Sequence, residues 1–150
     1  MQGSCLCGKV CYEVRGRPLL MYYCHCIMCR KATGTGFATN MQVREEDFTI
    51  LTGRDLLKAY RSSPDEFRHF CSACGSPVFS EAEHRRGILS IRCGLLDGDP
   101  GIRPAHHLYV DFKAPWDMIL DGLPQHADEA RSQPTAAPVV APHSDQGELR

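Results

Sequence analysis

The sequence predicts a mainly β fold made of short strands. Apolar and polar residues alternate in several segments, which is the two-residue period of a half-buried strand. Gly, Pro and Asp residues separate these segments at short intervals, as turns between strands do. We therefore expect short antiparallel strands to dominate the domain and helix to be limited to a few turns.

The predicted strands follow one another along most of the chain. The alternation of Val10, Tyr12 and Val14 predicts the first strand. Further strands are predicted over residues 37–43, 48–51, 57–60, 67–70, 78–80, 88–92 and 108–112. Short helical turns are predicted just after Cys26, over residues 44–47 and over residues 115–119.

The C-terminal part of the chain differs in composition from the rest. From about residue 127 it is rich in Pro, Ala and polar residues and has few large apolar side chains. Such a segment does not bury enough apolar surface to offset the entropy lost when a chain becomes ordered. We therefore expect one domain over residues 1–125 and a disordered tail over residues 126–150.

Composition and charge exclude several classes of protein. The 150 residues, 43% of them hydrophobic, are enough for one modest core. The 17 Lys and Arg residues are balanced by 18 Asp and Glu residues, so a basic stripe for binding nucleic acid is not expected. No apolar run approaches the about 20 residues that cross a bilayer, and no apolar signal segment precedes Cys5. These features predict a cytoplasmic protein without nucleic-acid or membrane partners.

Most of the cysteines fall into three tight groups. The groups are Cys5 and Cys7, then Cys24, Cys26 and Cys29, then Cys71 and Cys74. Two thiolates this close in a tight turn can bind one tetrahedral zinc ion. Seven ligands form one closed site of four thiolates and one site of three thiolates with a free position, and any two groups can share a metal. The pattern therefore predicts two zinc ions per chain and chemistry at the open position.

Two other uses of these cysteines fit the sequence less well. A disulfide framework is disfavoured by the odd total of 9 cysteines and by C-x-C pairs, whose spacing is poor for bridging each other. A thioredoxin-like redox motif at Cys71-x-x-Cys74 lacks the βαβ context that it requires. Zinc binding by reduced thiols also agrees with a cytoplasmic location.

Three ordered motifs around these cysteines carry a resemblance to a known family. They are Gly3-Ser-Cys5-Leu-Cys7-Gly8-x-Val10, Cys24-His25-Cys26-x-x-Cys29-Arg30-Lys31-x-Thr33-Gly34 and Phe70-Cys71-x-x-Cys74-Gly75-Ser76. The chain resembles the glutathione-dependent formaldehyde-activating enzyme family, which shares its domain with centromere protein V. The resemblance covers about residues 3–125, continuing through Gly94-x-Leu96-Asp97, His107-Leu-Tyr109 and Lys113-Ala-Pro-Trp116.

The resemblance implies a β-tent fold with two zinc sites. It assigns a structural zinc to Cys5, Cys7, Cys71 and Cys74, and a catalytic second zinc to Cys24, Cys26 and Cys29. It implies a carbon–sulfur lyase that forms and cleaves S-(hydroxymethyl)glutathione, with glutathione as the thiol partner and formaldehyde or a similar small aldehyde as the second substrate. Two alternatives stay open, namely another small-molecule enzyme on the same scaffold and a non-enzymatic zinc-binding interaction module.

Residues beside the second zinc group are further candidates. The loop Thr33-Gly34-Thr35 offers close backbone approach and hydroxyl groups for a peptide-like substrate. Cys93, which ends a predicted strand, is a possible fourth thiolate that would close the second site.

The histidines and one remaining cysteine are expected to have structural roles. His25 lies between two ligands, so its side chain is expected to point away from the metal. His106 and His107 are expected to be structural or exposed rather than catalytic. Cys11 is expected to pack as a small residue in its strand.

Overall fold

A computed structural model describes residues 1–128 and places eleven strands and one helix in them. The strands are β1 (Gln2–Ser4), β2 (Cys11–Val14), β3 (Leu20–Cys24), β4 (Ala38–Arg44), β5 (Phe48–Thr52), β6 (Leu57–Ser63), β7 (Glu66–Cys71), β8 (Pro77–Ala82), β9 (Ile88–Arg92), β10 (His107–Leu108) and β11 (Gln125–His126). The helix is α1 (Ile27–Thr33). The expected mainly β fold is confirmed. From residue 129 onward, the predicted tail lies outside the described residues, and the boundary at residue 125 stays a prediction.

The strands form two sheets. A three-stranded sheet has the order β1-β2-β5, and an eight-stranded sheet has the order β11-β10-β3-β4-β9-β8-β7-β6. Neighbouring strands are antiparallel, except that β10 runs parallel to both β3 and β11. Among the described residues, no helix has the length and hydrophobicity needed to cross a bilayer.

The large sheet has one apolar face and one polar face. Side chains alternate between the two faces of a strand, so every second residue of β4, β8 and β9 points the same way. Met41, Phe79 and Ile91 point toward the small sheet and form the main core with residues such as Tyr12 and Val14. The opposite face carries buried polar residues: Asn40, Arg68, Ser80, Ser90 and Arg92. The register sets Asn40 beside Arg92 and Ser80 beside Ser90.

A smaller apolar cluster holds α1 against the large sheet. Its buried members are Leu20, Tyr22, Cys24, Cys29, Ala38 and Leu108. The helix begins after Cys26, whose Sγ accepts a hydrogen bond from the Cys29 amide at 3.3 Å. It ends at Gly34, which has a φ of 70° that glycine adopts at low cost. This packing brings Cys29 of the helix next to Cys24 at the end of β3.

The structure differs from the sequence-based predictions in five segments, two of which are the short strands β1 and β11 that the sequence did not predict. Strand β3 was not predicted, because its Leu-Met-Tyr-Tyr run is continuously apolar and shows no alternation. The strand predicted over residues 108–112 is wrong, because Tyr109 has a φ of 58° and Val110–Phe112 form a 3₁₀ turn. Residues 115–119 form a hydrogen-bonded turn at Asp117 rather than a helix. The other predicted strands and the two helical turns after Cys26 and over residues 44–47 are confirmed.

Candidate metal centres

Four cysteines from two distant turns meet in one group, called the four-cysteine cluster below. Cys5 and Cys7 follow β1, whereas Cys71 ends β7 and Cys74 lies in the turn before β8. Their four Sγ atoms all lie within 4.8 Å of one another. The Cys5–Cys7 and Cys7–Cys71 sulfur distances are 3.5 and 3.9 Å. A tetrahedral zinc ion with Zn–S bonds of about 2.3 Å sets its sulfurs about 3.8 Å apart, so the cluster fits a four-thiolate ion.

The two turns are built alike and are hydrogen-bonded to each other. The Gly8 amide donates to the Cys5 carbonyl at 2.8 Å, and the Gly75 amide donates to the Cys71 carbonyl at 2.7 Å. The Ser76 hydroxyl joins the turns by accepting a hydrogen bond from the Leu6 amide at 3.0 Å. Ser76 also hydrogen-bonds Cys74 through its hydroxyl and its backbone, which lowers the pKa of Cys74 to about 5. At least one cysteine of this cluster, Cys74, therefore favours the thiolate form at neutral pH.

The second group, the cysteine triad, consists of Cys24, Cys26 and Cys29. Cys24 ends β3, Cys26 precedes α1 and Cys29 lies in the first turn of α1. Their Sγ atoms also lie within 4.8 Å of one another. Cys24 and Cys29 are buried, and Cys26 is partly exposed. Three thiols within this span fit a metal site with three protein ligands and one open position.

Two arginines add positive charge beside the triad. Arg68 Nη1 lies 3.8 Å from Cys29 Sγ. Hydrogen bonds from the Cys24 and Cys26 thiols hold the pKa of Cys29 well below its usual range, and the charges of Arg92 and Arg68 lower it further. The same hydrogen bonding, with burial, raises the pKa of Cys24. A metal that binds here displaces the protons that remain on the other thiols.

A cavity of about 330 Å³ opens over the triad and is called the triad cavity below. All three triad cysteines line it, so a molecule in the cavity reaches the open side of the group. Its floor is the polar face of the large sheet, formed by Tyr22, Asn40, Arg68, Ser80, Ser90 and Arg92. Asp65, His84 and Tyr109 also line it.

The residues of the cavity floor were missed by the sequence analysis. Polar residues at every second position of a strand are the ordinary pattern of a face exposed to water. Asn40 and Arg92 follow this pattern, yet they are only 1% and 5% exposed. A local pattern cannot distinguish these cases, because the burial of a side chain depends on segments that are distant in the sequence.

The loop Thr33-Gly34-Thr35 lies at the C-terminal end of α1. The Thr33 hydroxyl donates to the Cys29 carbonyl at 2.9 Å and lies 2.8 Å from the Thr35 hydroxyl. Thr33 and Thr35 line a different cavity, of about 360 Å³, which Arg92 also lines. The hydroxyls therefore anchor the end of the helix, and a contact of this loop with substrate stays a prediction.

Cys93 lies in the turn after β9 and packs against the main core. Burial raises the pKa of its thiol to about 12. Among the described residues, the group around Cys24 consists of three thiols and does not include Cys93. Ligation by Cys93 stays a prediction, and it needs the thiol to come closer to the triad than it lies here.

His25 takes part in a buried chain of hydrogen bonds. Its Nε2 lies 2.8 Å from Nδ1 of His107, whose Nε2 lies 3.0 Å from Asp121 Oδ1. Its Nδ1 lies 3.5 Å from Asp117 Oδ2. Burial, helped by His107, lowers the pKa of His25, so the ring is neutral at pH 7. The His25 side chain thus connects the turn between Cys24 and Cys26 to β10 and to the segment that follows β10.

Comparisons with known proteins agree with this description. The family model described as "Glutathione-dependent formaldehyde-activating enzyme" matches residues 1–112. The chain is also similar to the crystal structure of a Rhodobacter sphaeroides protein determined as a structural genomics target. The two share 26% sequence identity with a TM-score of 0.56, over 66% of this chain and 90% of that chain. Comparison with curated protein sequences gave no match.

Proposed function

The chain belongs to the glutathione-dependent formaldehyde-activating enzyme family, and on that basis we propose that it is a zinc-dependent carbon–sulfur lyase. The reaction joins glutathione and formaldehyde, or a similar small aldehyde, into an S-hydroxymethyl adduct and also cleaves that adduct. One observation carries the proposal: three cysteine thiols within 4.8 Å of one another line a cavity large enough for a small ligand.

Each cysteine group has its own role in this proposal. Cys5, Cys7, Cys71 and Cys74 hold a structural zinc ion between two turns, whereas Cys24, Cys26 and Cys29 hold the second zinc ion. When bound, the second ion supplies a Lewis-acidic position that lowers the pKa of a substrate thiol at the cavity wall.

All atoms and electrons in the bonds that form and break belong to the two substrates. In the forward direction, the thiol sulfur forms a bond to the aldehyde carbon, and the carbonyl oxygen gains the proton that the thiol has lost. In reverse, the carbon–sulfur bond breaks and the proton returns to sulfur. Arg68 stabilises the anionic sulfur, because its guanidinium group lies on the cavity floor with Nη1 3.8 Å from Cys29 Sγ.

The experiment that tests the function is exchange NMR on glutathione mixed with formaldehyde. The adduct also forms spontaneously, so the rate with zinc-loaded protein is compared with the rate in buffer. We expect acceleration by the wild type and none by Cys26→Ser, which removes a triad ligand. Cys11→Ser is the matched control, because Cys11 belongs to neither cysteine group and its thiol hydrogen-bonds the Gly8 carbonyl, as a serine can.

Two outcomes contradict the proposal. If adduct formation is equally fast with the zinc-loaded wild type and in buffer, the protein does not catalyse this reaction. Full acceleration by Cys26→Ser would remove the triad from the mechanism. Circular dichroism and melting temperature verify that Cys26→Ser is folded before its rate is interpreted.

A further inference from the structure

The floor of the triad cavity contains a buried cation that no carboxylate of the described residues neutralises. Arg92 is only 5% exposed. One of its terminal nitrogens donates to Asn40 Oδ1, and its Nε has no hydrogen-bond partner within residues 1–128. A buried guanidinium with unused N–H groups is unfavourable unless a ligand satisfies it. Arg92 lines the triad cavity, so such a ligand has access to it.

The other charged groups around the cavity already have partners, including Arg85, whose Nη1 donates to Ser90 Oγ at 3.4 Å. Arg68 forms an ion pair with Glu66 at 3.2 Å and lies 3.8 Å from Cys29 Sγ. Asp65 Oδ2 lies within hydrogen-bond distance of His84 Nδ1, at 2.7 Å. The two carboxylates that line the cavity, Asp65 and Glu66, are therefore both engaged elsewhere. Arg92 acts on the Cys29 thiolate only through its charge, whereas Arg68 is the arginine within hydrogen-bond distance of that sulfur.

We propose that Arg92, oriented by Asn40, is a subsite for a carboxylate group of the thiol substrate. This inference rests on the proposed function, and it makes the enzyme selective for acidic thiols over neutral ones. A guanidinium presents a planar fork of N–H donors that matches a carboxylate. Ser90, two residues before Arg92 on the same face of β9, and Ser80, its neighbour on β8, add hydroxyl groups to the cavity floor.

A binding experiment tests the subsite without using catalysis. S-Methylglutathione and its dimethyl ester have the same skeleton and a thioether that cannot become a thiolate, but only the first carries carboxylates. We expect isothermal titration calorimetry on the zinc-loaded protein to show that the acid binds at least about 10-fold more tightly than the ester. A charge-assisted hydrogen bond produces an effect of this size.

Three variants locate the preference for the acid. Arg92→Gln is expected to bind acid and ester about equally. Arg103→Gln removes the same charge from an exposed residue that pairs with Asp99 and does not line the cavity, so it is expected to keep the preference. Asn40→Asp is expected to raise the melting temperature and to abolish the preference for the acid, because the new carboxylate forms an ion pair with Arg92. This variant decides the question if Arg92→Gln does not fold.

The results separate the subsite from the proposed reaction. If the wild type binds acid and ester with equal affinity, the subsite is overturned. It is also overturned if both Arg92→Gln and Asn40→Asp keep the wild-type preference for the acid. Asp65→Asn measures how far a change of one charge elsewhere in the cavity alters the preference for acid over ester. If it alters that preference as much as Asn40→Asp does, the subsite at Arg92 is also overturned. If the wild type prefers the acid but does not accelerate adduct formation, the subsite is supported and the reaction is refuted.

Discussion

His106 is a buried titratable residue that belongs to neither cysteine group. Its ring lies 6.1 Å from the ring of Tyr22 and 5.4 Å from that of His126. Its Nε2 has no hydrogen-bond partner in the described part of the chain. Burial lowers the pKa of His106, and the neighbouring His126 and His107 lower it further. Protonation of this ring therefore opposes folding.

Acid is expected to destabilise the protein partly through His106. An unfolded histidine gains its proton near about pH 6.5, whereas folded His106 gains it only at lower pH. The unfolded state thus binds more protons, so the free energy of unfolding decreases as the pH falls below about 6.5. Urea denaturation at about pH 7.5 and about pH 5.5 is expected to show a smaller decrease for His106→Gln than for the wild type.

The measurement needs one control. The zinc content of both proteins is determined at both pH values, so that loss of metal is not counted as titration of His106. Equal decreases for the wild type and the variant would show that His106 does not contribute to the pH dependence.

Single residues differ in how well the sequence predicts their roles. The two cysteine groups, which are candidate metal sites, are apparent from the sequence, because their members occupy a few closely spaced positions whose chemistry is specific. Arg92 and Asn40 are not apparent, because they come from different strands and become a pair only through the register of β4 and β9. Their burial depends on distant segments that no local pattern reports.

Among the elements, the pairing of β1 with β2 positions the first two cysteines. Gly3 on β1 lies opposite Tyr12 on β2. A Cβ atom at Gly3 would lie 2.3 Å from the Tyr12 ring and 2.6 Å from the Leu95 carbonyl oxygen. Contacts this short require backbone movement, so only glycine fits between these elements.

Gly3→Ala is therefore expected to destabilise the protein by about 2 kcal/mol, as overpacking does. Displacement of β1 is also expected to weaken metal binding at the four-cysteine cluster, since Cys5 follows β1 directly. Gly98→Ala is the control, because a Cβ at Gly98 meets no atom within 4 Å. Urea denaturation and competition with a zinc chelator measure the two effects. A Gly3→Ala protein as stable as Gly98→Ala would contradict the steric argument.

Elements with a regular pattern were predictable, and elements fixed by their surroundings were not. Strands such as β2 and β4 show alternation, because one face is buried and the other is more polar. Strand β3 is almost entirely buried, so its sequence resembles any apolar run. The end of β10 depends on the left-handed conformation of Tyr109, which a non-glycine residue adopts only when tertiary contacts hold it there.

In the whole molecule, the two cysteine groups connect the chain over very different distances. The four-cysteine cluster joins Cys7 to Cys71, which are 64 positions apart. The triad joins residues within one turn and the start of α1. A metal that closes a long loop removes more entropy from the unfolded chain than one bound by a local segment.

Loss of the four-cysteine cluster is thus expected to cost more stability than loss of the triad. In zinc-loaded proteins, Cys74→Ser should lower the free energy of unfolding by about 2 kcal/mol more than Cys26→Ser. The difference follows because the entropy lost on closing a loop increases with the logarithm of its length. Both cysteines are partly exposed, so the two substitutions are comparable. Guanidinium denaturation measures both. Equal destabilisation, or a larger effect of Cys26→Ser, would contradict the structural role of the four-cysteine cluster.

The two faces of the large sheet also affect how the protein can evolve. On β4 and β9, Met41 and Ile91 belong to the main core, whereas their neighbours Asn40 and Arg92 belong to the cavity floor. A mutation at Asn40 or Arg92 therefore leaves the packing of the main core nearly unchanged. Substrate preference can drift through successive generations at these positions while the scaffold persists, so close relatives with the same cysteines can acquire different substrates.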